Sequence, residues 1–200
     1  MALPKLNTAQ YELKVPSTGK TIEYRPFLVK EEKILLMALE GEEEKEMAKA
    51  IKQILSQCIL TENFKIDNLS LVDVEYIFLK VRGKAVGDKS KIFILCTECE
   101  NKVEIELDLE EIKIDTHKDH TDLIKLTDDI QVRMVPPKME YLMATVSKNQ
   151  IDIVMDVIRD SISEIIQGKE VFSAQDHTRE ELEEFLNSLN SGQFQKVREF

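Results

Sequence analysis

Tryptophan is absent from this chain, and histidine and cysteine occur three times each. So small a stock leaves few ways to assemble a His/Cys metal cluster or a nucleophile–base pair. An odd cysteine count with no secretory pattern argues against a disulfide framework and for free thiols in a reducing compartment. Basic residues are also in deficit: 27 Lys and Arg face 38 Asp and Glu, a net charge of −11. Nucleic-acid binding depends on clustered cations that release counterions, so this balance argues against it, and against an anionic membrane surface. No apolar run approaches the roughly 20 residues of a membrane-spanning helix, and Met1-Ala-Leu-Pro-Lys5 lacks an apolar signal core. With six glycines and five prolines there is no low-complexity tract. What is present is ordinary for a packed protein: 42% hydrophobic and 32% charged residues over 200 positions. That length fits one domain or two small ones, burying roughly 70% of the unfolded surface.

Turn chemistry and periodicity organise the first part of the chain. Tyr11–Val15 and Thr21–Arg25 alternate in character and flank Pro16-Ser-Thr-Gly19, which places a residue tolerant of φ > 0 at a tight turn. Pro26 ends the second strand because it has no N–H to donate. A helix follows through Leu39, with Glu31 and Glu32 in its first turn and Gly41 past its end. The acidic run Glu42–Glu46 reads as the first turn of a second helix. Its core stripe is Met47, Ile51, Ile54, Leu55 and Cys58. A third helix starts near Ser70, spaced to Asp73 as in a capping box. It presents Val74, Ile77, Phe78 and Val81, and Gly83 and Gly87 are expected to close it.

From Lys91 the period becomes two. Ile92–Leu95 and Val103–Leu109 predict a hairpin with Cys96-Thr-Glu-Cys99 at its tip. Leu123–Leu126 and Ile130–Val135 predict a second, closed by Pro136-Pro137. The charged stretch Glu110–Asp122 reads as a strand edge and flexible connection. In the last third, Ile151, Val154, Ile158, Ile162 and Ile165 keep a 3–4 spacing that predicts one helix ended by Gly168. Thr178 and Glu181 form a capping box for the final helices, which carry Leu182, Phe185, Leu186 and Leu189, then Phe194, Val197 and Phe200. The fold class is therefore α+β: an N-terminal β-hairpin with helices, central antiparallel hairpins and a C-terminal helical segment. The expected blocks are 1–88, 89–137 and 138–200, forming one compact unit.

Chemistry is scarce. Cys96-x-x-Cys99 followed by His117-x-x-His120 offers four N/S ligands suited to tetrahedral zinc. Against it, the histidines follow a strand in a charged loop and no glycine follows the cysteines, so two ordinary hairpin cysteines are the plainer reading. A redox dithiol lacks its βαβ scaffold. Cys58 reads as a core thiol and His177 as a solvated side chain before a cap. Gly83-x-x-x-Gly87 and Gly19-Lys20-Thr21 lack the spacing of a phosphate loop. No catalytic, cofactor-binding or metal residue is assigned. Phe194, Val197 and Phe200 lie on one side of a helix, either folded back onto Leu182–Leu189 or exposed to dock a partner.

Four segments carry a family resemblance as a set: Tyr11–Leu39, Asp73–Gly87, His120–Met134, and Leu182–Leu189 with Gln193-Phe194. The chain resembles the baseplate hub proteins of T4-like bacteriophages, the hub subunit and the hub assembly catalyst. The resemblance implies protein–protein action in hub assembly, as an assembly factor or minor structural subunit, with other hub proteins as partners. It implies no reaction, cofactor, nucleic acid, membrane or small-molecule substrate. The expected location is the host cytoplasm during assembly, with retention in the virion tail baseplate left open between the two roles; further chain beyond Phe200 is also implied. The alternative function is a zinc-stabilised adaptor that uses the Cys96/Cys99 hairpin.

The charge balance yields a direct expectation. At physiological salt and micromolar protein, gel-shift assays should show no salt-dependent retardation of DNA, because no basic stripe is present to displace counterions. A shift that weakens as salt rises would reveal a cationic surface concealed by the overall −11.

Overall fold

The structure is a computed structural model that describes residues 6–41, 44–99, 101–115, 120–139 and 149–200. The chain clusters into two compact units, Met1–Ile114 and Asp115–Phe200. The division falls inside the 89–137 stretch that the sequence groups as one block. The first hairpin of that stretch stays with the helices before it, and the second pairs with strands that follow.

In the first unit, β1 (Tyr11–Lys14) and β2 (Thr21–Tyr24) pair antiparallel with Leu13 opposite Ile22. Gly19 adopts φ +67°, and its N–H donates to Val15 O at 2.8 Å, as the turn requires. Three helices follow: α1 (Val29–Glu40), α2 (Glu44–Cys58) and α3 (Leu71–Val86). Ile22, Tyr24, Ile54, Leu55, Cys58, Val74, Ile77 and Val81 are buried, so the predicted stripes of α2 and α3 supply the core. Part of the acidic run, residues 42–43, lies outside the described residues, as does 116–119 of the charged connection.

Short elements leave loose ends, and buried charges tie them. The Glu31 side chain is fully buried at the start of α1. Its carboxylate accepts from Arg25 Nη2 at 2.9 Å and from the Leu28 N–H at 2.8 Å, and pairs with Lys30 at 3.3 Å. Arg25 also donates to Pro26 O and Gln57 O, and its own N–H reaches Cys58 O at 2.9 Å. One ion pair thus holds the end of β2, the start of α1 and the end of α2. Burial alone would raise the Glu31 carboxyl. The hydrogen bonds from Arg25, Leu28 and Lys30 outweigh it and hold it below its ordinary value. A second tie is Asp73, which accepts from the Ser17 N–H at 3.0 Å, from Ser17 Oγ, and from Ser70 Oγ at 2.7 Å. It pins the β1–β2 turn to the start of α3, where Ser70 caps the helix as its spacing predicts. Gly83, by contrast, does not end α3. It is buried inside the helix, and Gly87 (φ +113°) ends it.

The first unit closes with β3 (Lys89–Leu95) and β4 (Lys102–Asp108), a long antiparallel hairpin. The second unit is built on a four-stranded antiparallel sheet ordered β5-β6-β7-β8. Its strands are β5 (Leu123–Lys125), β6 (Ile130–Met134), β7 (Ile162–Gln167) and β8 (Glu170–Ser173), with a bulge between Arg133 and Met134.

Here the sequence reading needs correction. The helix predicted from Ile151 to Gly168 ends at Ser161 as α4 (Gln150–Ser161), and Ile162, Ile165 and Ile166 belong to central strand β7. Isoleucines at i, i+3 and i+4 match the helical period, and on a strand they fall on both faces. Strand wins because β-branched side chains suit a pleat and because β7 supplies hydrogen bonds to both β6 and β8. Gly168, at φ +57°, makes the two-residue β7–β8 turn instead of ending a helix.

Two short helices complete the unit: α5 (Arg179–Asn187), with the Thr178–Glu181 capping box the spacing predicts, and α6 (Ser191–Arg198). Val197 is buried in a cluster with Val132, Met134, Ile162 and Leu186, and Phe194 and Phe200 pack against it. The terminal stripe is therefore core, and its reading as an exposed docking surface is overturned.

Two outcomes follow. Glu31→Gln should cost about 3 kcal/mol at pH 7, since it leaves Arg25 without its buried counter-charge. Because the folded carboxyl sits below the ordinary 4.5, the pair's contribution is fully present above that value and lost as pH falls through the folded one. Urea denaturation should therefore show the gap between wild type and variant closing in acid; a constant gap would assign the loss to packing. Separately, Phe194→Asp with Phe200→Asp should unfold the second unit, read as loss of its cooperative melting transition. Retained melting would return those rings to the surface.

Candidate functional site

The β3–β4 hairpin stands on a polar base. The Lys80 side chain, buried on α3, donates to three backbone carbonyls: Leu109 at 2.8 Å, Glu110 at 2.9 Å and Ile112 at 3.2 Å. Leu109 N–H returns to Asp88 O at 2.6 Å. Lys84 pairs with Glu110 at 2.5 Å and reaches Asp88 at 3.6 Å; the hydrogen bond with Glu110 is the main cause that raises the amine and lowers the carboxyl. A Cβ at Gly83 would lie 3.1 Å from Asp88 Oδ1, so glycine there admits the arm's base against the helix.

Beyond the base the arm is exposed. Its register sorts the side chains onto two faces. Lys89, Lys91, Glu104 and Glu106 share one with Phe93 and Leu95, and the exposed pairs Lys89–Glu106 (2.7 Å) and Lys91–Glu104 (2.5 Å) lie along it. The opposite face is apolar: Ile92, Ile94, Val103, Ile105 and Leu107, between 36% and 50% exposed, with Ser90 the only polar member. Among the described residues, neither outer edge of the arm pairs with another strand. Two-stranded hairpins are marginal alone, and a contiguous apolar patch of this kind marks a contact surface.

At the arm's tip, Cys96 N–H donates to Asn101 O at 2.9 Å and closes the loop. Cys96 and Cys99 are free thiols, and Cys99 is exposed. The Cys96 thiol is held below its usual range first by the Glu98 N–H, then by the Cys99 N–H and side chain. The other two sequence candidates lie outside the unit that carries the arm. His120 belongs to the second unit and stacks on Phe200 with ring centroids 5.0 Å apart. His117 lies outside the described residues. Among the described residues, no group of three or more His, Cys, Asp or Glu is placed to hold a metal ion.

Cys58 is fully buried, and burial pushes its thiol up to about 11, so it packs as a small hydrophobe. In the second unit a groove of about 290 Å³ is lined by Ile130, Ile165, Phe172, Leu182 and Phe185, with His177 and Glu181, 3.3 Å apart, at hand. Gly19, Lys20 and Thr21 make the first hairpin turn, and Gly83 and Gly87 sit in and after α3. On α1, Val29, Leu36, Met37 and Leu39 are exposed by 53% to 72%, a second apolar band.

Sequence reasoning missed the buried charges. Lys80 lies within the apolar stripe of α3, three residues after Ile77, and a lysine in that position signals a polar partner brought from elsewhere in the chain. Arg25 and Glu31 gave a weaker sign, since an acid in a first helical turn is satisfied by the dipole alone.

A search of curated proteins and a search of solved structures each return no match. The family model described as T4 bacteriophage base plate protein, in contrast, matches residues 8–200. That span includes both units, with the ion-paired hairpin, the cysteine arm and the sheet. The chain belongs to the T4 bacteriophage base plate protein family.

Proposed function

We propose that this protein acts at the hub of the phage tail baseplate by protein–protein contact, as an assembly factor or a minor structural subunit. The family match over residues 8–200 carries the baseplate role. The finer hub assignment is supported by the segments Tyr11–Leu39, Asp73–Gly87, His120–Met134 and Leu182–Leu189 together. The work proposed is non-catalytic: a folded surface receives a hub protein and lowers the cost of ordering it before the next contact forms. It takes place in the host cytoplasm during assembly, and the protein then enters the virion tail.

The surface proposed for the hub partner is the α1 band of Val29, Leu36, Met37 and Leu39. A helix that leaves large aliphatics half exposed, while its other side covers Ala38 and Glu31 in the core, suits helix-in-groove or helix–helix docking. Coexpression with the baseplate hub proteins, followed by copurification, tests the reading. Leu36→Asp with Met37→Asp should weaken capture by roughly tenfold or more, about 1.4 kcal/mol, with circular dichroism unchanged. Failure of the wild-type chain to copurify with any hub protein overturns the hub role; undiminished capture of the variant overturns the α1 surface.

A further inference from the structure

The cysteine arm carries an inference that goes beyond the hub reading and does not rest on it. Its apolar face is uncovered among the described residues, and its tip offers two thiols spaced for one metal ion. Two ligands are half of a tetrahedral set. The chain brings no third His, Cys, Asp or Glu to them among the described residues. An arm that is half a binding site and half a sheet sandwich lacks the same thing twice over: another arm.

We propose that two copies of this chain pair arm to arm through the face of Ile92, Ile94, Val103, Ile105 and Leu107. Cys96 and Cys99 of both copies then hold a single zinc ion where the tips meet. A second copy is the occupant for three reasons. An isologous two-fold contact places a patch against itself, and an apolar patch is complementary to itself. The same axis, run along the arms, supplies two further thiolates without any other protein. Charge also permits it: the facing surface has no ionisable side chain, and on the outer face Lys89 and Lys91 are matched with Glu106 and Glu104. Repulsion between the acidic bodies is screened beyond about 8 Å at physiological ionic strength.

The chemistry balances. Four cysteine thiols and one Zn²⁺ give one Zn(S)₄ centre and four released protons, with no change of oxidation state. Four sulfurs in a closed tetrahedral site suit structural zinc, which contributes directly to the stability of what it joins.

The test uses the full chain purified under reducing conditions, with metal content by plasma mass spectrometry and mass by sedimentation equilibrium. The expected result is a dimer carrying about half a zinc ion per chain. Chelation should weaken self-association by roughly tenfold or more, and Co²⁺ added to the stripped protein should give the absorption of tetrahedral sulfur coordination. Cys96→Ser with Cys99→Ser should lose the metal and weaken the dimer with circular dichroism unchanged. Ile94→Asp with Ile105→Asp should lose both dimer and zinc, and because this face is exposed the fold of the unit should persist. A monomer at all concentrations, with or without zinc, overturns the proposal. So does one zinc per chain, which would take its ligands from a single copy, and so does a metal-free dimer indifferent to the cysteine variant. Zinc and arm pairing that appear only with a different baseplate protein would assign the face to that protein and overturn self-pairing.

Discussion

The Arg25–Glu31 pair is the constraint on which the first unit depends. The end of strand β2, the start of α1 and the end of α2 meet at one point. A carboxylate with no exposed surface, bonded by a guanidinium and a backbone N–H, fixes all three ends together. Buried charge is costly by itself, so such a pair is stable only when every donor and acceptor is satisfied. That demand makes it selective: alternative packings that separate Arg25 from Glu31 are penalised by several kcal/mol. Asp73 and Lys80 repeat the principle at the first turn and at the base of the arm. In each case one charge collects partners from segments distant in sequence.

This explains what could be read from the sequence and what could not. Ser70, Thr178 and Gly19 were legible because capping and positive φ are local requirements, answered within four residues. The α2 and α3 stripes were legible because the 3.6-residue period belongs to long segments with helix-start signals of their own. Ile162–Gln167 was misread as helix because its preference is decided by strands β6 and β8, which lie outside the window. The buried charges were illegible for the same reason: Lys80 finds its three carbonyls about 30 residues downstream. Of the candidate surfaces, the apolar face of the arm was partly visible as alternation from Val103 to Leu109. Its lack of cover, which gives it significance, is a fact of packing.

Exposure is unevenly distributed over the described residues. In the second unit Val197 is buried in the core, with Phe194 and Phe200 packed against it. Among the described residues, α1 and the arm each carry several exposed large hydrophobics, and each is a regular element with its neighbours fixed by buried polar ties. Contact surfaces on rigid elements lose little entropy when a partner arrives.

The hydrogen bond from Leu109 N–H to Asp88 O has one more consequence. It joins the two stems of the arm where they leave the body, so everything between them is a detour that begins and ends at nearly the same place. Such an insert can be shortened, extended or exchanged without rerouting the chain on either side, provided Lys80 keeps its carbonyls. Within a lineage the body can therefore stay constant while the arm alone is rewritten, and the exposed face becomes heritable separately from the fold that carries it.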